Sequence, residues 1–290
     1  MLDTRNFRVP SDQGSRALVA DDRNSDPAFV SYYERESVSA HSKDRFRVVR
    51  NKMLRLWATV AGKESSNLSV LNVGCGAGTE CQIWAELGHR VTGIDISEPL
   101  IQVARKRAAE LGFDIGFDVG SAVELPYALG SFDVCLIPQL LEHVVDWRAC
   151  LDEGARVLRP GGVLYLSTTN VLCPVQNEFK LPLYSWYPRF LKHRCEKLAV
   201  TSHRGWVSHT AYPAVHWFTF WQLRDFLGTK GFSCLDRFDL AKDEPASMLR
   251  QAAFGMIRSL PPLRVAAHFL VRGTIVAGVK TRAGGISASA

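Results

Sequence analysis

A glycine-rich turn followed by an acid is the pattern in this chain whose residue types and spacing could do chemistry. Glycine recurs at alternate positions, Gly74, Gly76 and Gly78, directly after the mostly apolar run 70–73. Without side chains there, main-chain N–H groups can touch a bound molecule. A second apolar run ends in Asp95, whose carboxylate can accept hydrogen bonds from both hydroxyls of a ribose. The spacing predicts a nucleoside site.

The residues after the third glycine indicate which kind of nucleoside fits. A dinucleotide site has the pattern G-x-G-x-x-G, with a pyrophosphate at a helix N-terminus. This chain has G-x-G-x-G, followed by Thr79 and Glu80. Because a carboxylate at a helix start repels phosphate, the sequence favours a ligand that has a ribose but no phosphate.

The elements that position this turn follow from hydrophobic periodicity. Strand-like and helix-like segments alternate after residue 69, which is typical of a parallel sheet with helices on both faces. Predicted strands cover 69–73, 91–94, 114–119, 132–137, 163–167, 232–240 and 273–280. Predicted helices cover 43–62, 79–87, 97–112, 219–231 and a segment that starts at Leu140.

Four segments together carry a resemblance to a known family. They are the glycine turn with its strand, segment 131–137, segment 141–144 and the loop and strand at 158–167. Over residues 28–240 the chain resembles a class I S-adenosylmethionine-dependent methyltransferase. The resemblance implies an α/β fold of the Rossmann-like, doubly wound kind, with a mostly parallel seven-stranded sheet and an antiparallel last strand. It also implies S-adenosyl-L-methionine as the cofactor.

The resemblance assigns cofactor contacts to the carboxyl ends of the strands. Many relatives have an acid where this chain has Ser121, so the adenine contact falls to the Ser121 hydroxyl or to the backbone of Ala122. The residues expected to bind the cofactor are Asn72, Gly74, Cys75, Gly76, Gly78, Asp95, Ile96, Ser121, Ala122 and Gln139.

The stretch after the fourth strand faces the reacting methyl group in this fold, so His143 and Glu142 are the candidate catalytic residues. His143 could deprotonate a hydroxyl acceptor, or it could cap or pack a helix start. Glu142 could orient His143 or bind a cation. Residues 141–144 also resemble ubiquinone-biosynthesis O-methyltransferases, some of which bind a divalent metal through an acid-x-x-Glu-His pattern. Because Gln139 replaces the first acid, we predict no metal.

The expected methyltransferase domain is 28–283, between a mobile tail at 1–27 and a flexible C-terminus at 284–290. A lid insert at 171–217 is rich in aromatic and basic residues, which could form a wall for the acceptor or the lid's own small core. A helical insert at 247–270 is apolar with interleaved arginines. Through 247–272, such a segment can lie on an anionic membrane surface or pack against the sheet.

Composition limits the class of protein. The chain has 290 residues, of which 47% are hydrophobic and 22% charged, as in ordinary globular domains. Neither an apolar run long enough to span a bilayer nor a secretory signal is recognisable in it. The seven cysteines form no C-x-x-C pair, which indicates reduced thiols. These features predict a cytoplasmic protein, either free or peripheral to the inner face of a membrane.

The sequence as a whole predicts methyl transfer to oxygen of a small or lipid-linked acceptor. Two alternatives stay open. One is methylation of carbon or nitrogen, which needs no base at His143; the other is a catalytically silent cofactor-binding partner subunit, which the departures at Ser121 and Gln139 would fit. Nucleic acid ranks lowest as an acceptor, because 137–140 lacks the Asn-Pro-Pro-Tyr type of motif. No oligomeric state is predicted.

Overall fold

The computed structural model describes residues 27–62, 66–176, 179–206, 214–242 and 247–282. The predicted tail, apart from its last residue, and the predicted flexible C-terminus lie outside these ranges, as do parts of the lid insert. Among the residues described, no helix is both long and apolar enough to cross a bilayer.

The centre of the fold is one seven-stranded sheet. Its strands are β1 (Ser69–Val73), β2 (Arg90–Asp95), β3 (Ile115–Val119), β4 (Phe132–Pro138), β5 (Leu158–Thr169), β6 (Phe232–Asp236) and β7 (Gly273–Lys280). Their order across the sheet is β3-β2-β1-β4-β5-β7-β6. The first five strands pair in parallel, whereas β7 pairs antiparallel with both β5 and β6. The predicted doubly wound fold with an antiparallel last strand is confirmed.

Helices cover both faces of this sheet. They are α1 (Pro27–Ser37), α2 (Ala40–Ala61), α3 (Thr79–Ala85), α4 (Glu98–Glu110), α5 (Trp147–Val157), α6 (Arg189–Thr201), α7 (Phe220–Thr229), α8 (Arg237–Leu240), α9 (Met248–Ser259) and α10 (Pro261–Phe269). Successive strand residues point to opposite faces. Leu71 and Val73 therefore belong to the core under α5 and α7, while Val70 belongs to the core under α2, α3 and α4. All seven cysteines are free, and six of them are buried.

The N-terminal helices begin earlier than the sequence predicts. Helix α2 starts at Ala40 instead of near residue 43, with Ser39 as its N-cap, and ends at Gly62 as predicted. Helix α1 is absent from the prediction because its polar sequence shows no clear apolar stripe. It is held by a tertiary contact, in which Arg107 of α4 donates a hydrogen bond to the Glu34 carbonyl at 2.7 Å.

The segment after β4 is a turn, and the helix predicted from Leu140 is wrong. Gln139 has a φ of 50°, in the left-handed region, so the chain changes direction before Leu140. Helix α5 starts only at Trp147, where the Asp146 side chain accepts hydrogen bonds from the first amides of the helix. The capping residue sets the start of the helix here.

Strand β6 is also shorter than predicted. It ends at Asp236 instead of continuing to residue 240, because the Asp236 carboxylate accepts hydrogen bonds from the amides of Phe238 and Asp239. The Asp239 carboxylate accepts the Asp236 amide in return at 3.1 Å. This capping box starts α8 where the prediction has strand.

A buried charged cluster anchors the helical insert to the sheet. Asp236 is fully buried and accepts hydrogen bonds from Arg264 at 2.7 Å and from His268 at 3.1 Å. Burial raises the pKa of Asp236, but the bonds from His268 and Arg264 bring it down to about 2. At the end of β5, Asn170 donates to the carbonyls of His268 at 2.8 Å and Val271 at 2.7 Å. These bonds fix α10 relative to the sheet.

Candidate active site

The carboxyl ends of the parallel strands form one edge of the sheet, where open α/β sheets bind ligands. The loops that leave this edge include the glycine turn 74–78 and the segments 95–97, 120–122 and 139–143. The residues that the sequence assigns to the cofactor or to catalysis lie in these loops, except Asn72 within β1 and Asp95, the last residue of β2. The structure thus brings all of them to one edge.

Asp95 holds the glycine turn against the end of β2. Its Oδ2 accepts the Gly76 amide at 2.8 Å, and its Oδ1 accepts the Ser97 amide at 2.9 Å. Burial raises the pKa of Asp95, and the hydrogen bonds from these amides offset that effect only in part. A carboxylate oxygen can accept more than one hydrogen bond, so the hydroxyls of a ribose can bind beside the amides.

The three glycines of the turn have different surroundings. A Cβ at Gly74 would lie 3.0 Å from the Leu140 side chain, and a Cβ at Gly78 would lie 2.8 Å from the Ala104 side chain. Gly74 and Gly78 therefore lack a side chain because a Cβ atom would clash with neighbouring side chains of the protein. A Cβ at Gly76 would meet no atom of the described residues within 4 Å. The open approach to the backbone that the sequence predicts for all three is thus found at Gly76.

Four other predicted cofactor residues differ in what they offer a ligand. Ile96 is 56% exposed and presents an apolar side chain beside the turn. Cys75 is buried, and its amide donates to the Ile94 carbonyl at 3.1 Å. The Ser121 hydroxyl accepts the Val123 amide at 3.3 Å, and Ala122 is half-buried.

Asn72 forms a buried hydrogen-bonded pair with Glu80. The sequence indicates only that Glu80 is an acidic residue at the start of a helix. The Asn72 Nδ2 donates to the Glu80 Oε2 at 3.4 Å. Asn72 Oδ1 and Glu80 Oε1 are buried and meet no hydrogen-bond partner in the part of the chain that is described. Burial raises the pKa of Glu80 to about 7, against the opposing effects of Arg45 and Asn72. When Glu80 is protonated, its carboxyl O–H can donate a hydrogen bond to Asn72 Oδ1.

The turn after β4 packs directly on the glycine turn, since Leu140 fills the space at Gly74. Gln139 donates from its amide to the Ser167 carbonyl at 2.8 Å and from Nε2 to the Ser167 Oγ at 3.3 Å. Its left-handed φ of 50° is rare for a residue other than glycine. Such strain is typical of functional sites, and here the hydrogen bonds to β5 maintain it.

Glu142 and His143 are neighbours in this turn but have different surroundings. Glu142 is 1% exposed, and its Oε2 accepts the Thr168 hydroxyl at 2.7 Å. Its carbonyl accepts the amides of Val215 at 2.9 Å and His216 at 3.2 Å. Glu142 thus ties the turn to β5 and to the end of the lid insert, while His143 stays half-buried. Within the described ranges, no group of His, Cys, Asp and Glu side chains could hold a metal ion.

Most aromatic residues of the lid insert form the lid's own core, one of the two interpretations that the sequence allows. The rings of Phe179 and Tyr184 stack with their centroids 4.0 Å apart. Lys192 lies over the Trp217 ring at 5.0 Å, and burial lowers its pKa to about 8. Trp186, by contrast, is exposed.

Part of this chain is similar to a known family and to named proteins. Residues 71–166 match the family described as a methyltransferase domain. The chain is 41% identical over 104 residues to the ubiquinone biosynthesis O-methyltransferase of Caulobacter vibrioides, across 36% of this chain and 41% of that protein. It is 40% identical over 118 residues to the protein of the same name from Xanthomonas axonopodis pv. citri, across 40% of this chain and 49% of the relative. The matches span less than half the length of these relatives.

Solved structures share the fold at low sequence identity. The plantazolicin methyltransferase BpumL, in complex with SAH, gives a TM-score of 0.56 at 17% identity, over 89% of this chain and 92% of that chain. An S-adenosylmethionine-dependent methyltransferase from Mesorhizobium loti gives a TM-score of 0.50 at 20% identity, over 77% of this chain and 97% of that chain. These likenesses concern the fold alone.

The substitution Glu80→Gln tests the buried pair. With its pKa raised from 4.5 to about 7, Glu80 takes up a proton on folding, so stability falls as the pH rises between those values. The glutamine side chain does not titrate, so the variant loses this pH dependence of stability. Its amide can also form hydrogen bonds with both Oδ1 and Nδ2 of Asn72. We expect a melting temperature raised by roughly 5 °C at pH 8 and little changed at pH 5. Glu110→Gln, at an exposed position of α4, is the control and should show no such pH difference. If the melting temperature rose as much at pH 5 as at pH 8, or more, the proposed uptake of a proton by buried Glu80 would be contradicted.

The open turn at Gly76, the acid at the end of β2 and the turn after β4 all lie inside the matched range 71–166. Residues 71–166 thus match the methyltransferase domain family, in agreement with the resemblance that the sequence motifs carry.

Proposed function

We propose that this protein transfers the methyl group of S-adenosyl-L-methionine to a hydroxyl oxygen of a small or lipid-linked acceptor. The observation that carries the proposal is a contact between two loops: Leu140, from the turn that bears His143, packs on Gly74, two residues before the open position Gly76. The turn that bears the candidate base thus packs on the loop that contains the open position Gly76. We further propose that the protein is cytoplasmic and peripheral to the inner face of a membrane.

The residues of the cofactor site fit a nucleoside that carries a sulfonium. Asp95 can accept ribose hydroxyls, Gly76 allows close approach to the main chain, and Ile96 offers an apolar surface to a base. When bound, S-adenosyl-L-methionine supplies an electrophilic methyl group on a positively charged sulfur. Because that charge disappears during in-line transfer, alignment of the acceptor and exclusion of water supply much of the rate acceleration.

His143 is the residue proposed to take the proton from the acceptor hydroxyl, because an imidazole accepts protons efficiently near neutral pH. Glu142 is a positioning residue in this scheme. Its bonds to Thr168, Val215 and His216 fix the turn that presents His143 at the edge. A carbon or nitrogen acceptor that is already nucleophilic would need no base.

Support for oxygen as the accepting atom comes from the names of the relatives, which are O-methyltransferases. This support does not extend to the identity of the acceptor. The lid insert 171–217 and the helical insert 247–270 lie outside the family match. We propose that these two inserts select the acceptor. Nucleic acid remains the acceptor class that we rank lowest, since 137–140 lacks a base-flipping motif.

Gly76→Ala tests the cofactor site, with Gly88→Ala as its matched control. Both glycines have a positive φ and open space at the Cβ position, but Gly88 lies before β2, at the other edge of the sheet. We expect each substitution to cost about 1 kcal/mol of stability through backbone strain. The added methyl group at Gly76 should also weaken binding of S-adenosyl-L-methionine roughly tenfold or more in calorimetry. Equal affinities for the two variants would contradict the placement of the cofactor.

Methyl transfer is tested by incubating the purified protein with methyl-labelled S-adenosyl-L-methionine and fractionated cell extract, with mass spectrometry of the product. We expect the label on a hydroxyl oxygen. With the acceptor so found, His143→Ala should lower kcat about 10²- to 10⁴-fold and remove the acidic limb of the pH–rate profile, because the general base is lost. The control His193→Ala, at an exposed position of α6, should leave both kcat and the pH–rate profile unchanged.

Other outcomes of this experiment would assign other functions. A label on carbon or nitrogen, together with full activity of the His143→Ala variant, would contradict transfer to oxygen. Cofactor binding without turnover in any fraction would instead indicate a silent cofactor-binding subunit.

A further inference from the structure

An exposed apolar surface covers the helical insert and continues onto the lid insert. Twenty large apolar side chains are exposed in the described residues, and eight of them lie between 248 and 270. Four more lie on the lid insert: Val175, Leu183, Trp186 and Phe190. We call six of these residues, which lie on the lid insert, at the start of α9 and at the end of α10, the apolar cap: Trp186, Phe190, Met248, Leu249, Phe269 and Leu270.

The exposed residues of the helical insert follow helical spacing. Met248, Ala252 and Met256 succeed each other at four-residue intervals on α9 and are all exposed, which places them along one face of the helix. Helix α9 has no buried residue, and Met248 is 88% exposed. Leu263 on α10 and Leu270, which caps the C-terminus of that helix, are likewise exposed, at 39% and 83%. The insert therefore keeps an apolar face open over both of its helices.

This face is held in place by the sheet. Asp236 bonds to Arg264 and His268 on the inner side of α10, and Asn170 bonds to the carbonyls of His268 and Val271. Because these polar groups are used on the inner side, Phe269 and Leu270 lie outside at the end of the helix. The apolar cap is a fixed surface.

The apolar cap adjoins the candidate active site. The rings of Trp186 and Phe269 meet edge to face with centroids 6.5 Å apart, which joins the lid insert to the helical insert. Phe269 follows His268, whose carbonyl accepts a hydrogen bond from Asn170. Asn170 comes directly after β5, at the carboxyl edge that carries Gln139 and His143.

The surroundings of the apolar cap are basic. Residues 247–272 include four arginines but no aspartate or glutamate, and of these Arg264 pairs with Asp236 and Asp239. Arg250 and Arg272 are exposed and close in sequence to Leu249 and Leu270, and the exposed Arg194 lies one helical turn after Phe190. Exposed apolar side chains bordered by cations are complementary to an anionic lipid interface. A second copy of the chain would bring the same positive charge to this surface.

We propose that the apolar cap docks the protein on the surface of an anionic lipid bilayer, with the carboxyl edge of the sheet beside the lipid. Apolar side chains enter the headgroup region, and the flanking arginines bind lipid phosphates. The consequence for the acceptor rests on the proposed function: a lipid-linked hydroxyl compound would pass from the bilayer to His143 without crossing water. Docking itself does not require that function.

Cosedimentation with vesicles tests the proposal with the full-length protein. We expect binding to vesicles of phosphatidylcholine with roughly one third phosphatidylglycerol, weaker binding to phosphatidylcholine alone, and weaker binding at high salt. The double variant Leu249→Glu, Leu270→Glu should bind the mixed vesicles roughly tenfold less well or weaker. Leu129→Glu is the control: Leu129 is 74% exposed before the start of β4, at the other edge of the sheet, and should bind like the unchanged protein. Thermal melting and cofactor calorimetry verify that all variants fold.

Two results would overturn docking through the apolar cap. One is no sedimentation of the unchanged protein with any vesicle, and the other is equal sedimentation of the unchanged protein and the double variant. A dimer in sedimentation velocity that becomes monomeric in the double variant, without vesicle binding, would assign the cap to a second copy. Because no acceptor is present, these outcomes are independent of whether methyl transfer to oxygen is found.

Discussion

The hydrogen bonds of Asp95 to the amides of Gly76 and Ser97 are the interaction on which the candidate site depends. They join the loop after β1 to the end of β2, the neighbouring strand, and so fix the glycine turn before α3 begins. The carboxylate that shapes the turn bonds to the amide of Gly76, whose Cβ position is open, and it can still accept hydrogen bonds from a ligand. The fold and the candidate cofactor site are therefore coupled through the Asp95 side chain.

The acceptor side of the edge is built from contacts between strands that are distant in the sequence. Gln139 keeps a rare left-handed conformation because Ser167 of β5 bonds to it twice. Glu142 adds a bond to Thr168 and two bonds to the end of the lid insert. The turn that bears His143 is thus set by β5 and by the lid together, so a change in the lid insert can reach the candidate base without touching it.

Much of the sheet can be predicted from the sequence, because buried parallel strands are continuous apolar runs between turn residues. What fails are the elements decided by single capping residues or by tertiary contacts. Residues 140–144 have helix-like spacing, yet Gln139 and the cap at Asp146 place the helix later. The D-x-x-D pattern that begins at Asp236 signals the end of β6 in retrospect. The burial of Glu80 depends on packing that its position in the sequence does not reveal.

The most direct test of the central claim is calorimetric titration of the unchanged protein and an Asp95→Asn variant with S-adenosyl-L-methionine. Asparagine can still accept one of the two amide bonds, so the fold should persist while a charged acceptor for the ribose is lost. We expect one binding site per chain in the unchanged protein and affinity weaker by roughly tenfold or more in the variant. Equal affinity in the two proteins would contradict the assignment of this edge as the cofactor site.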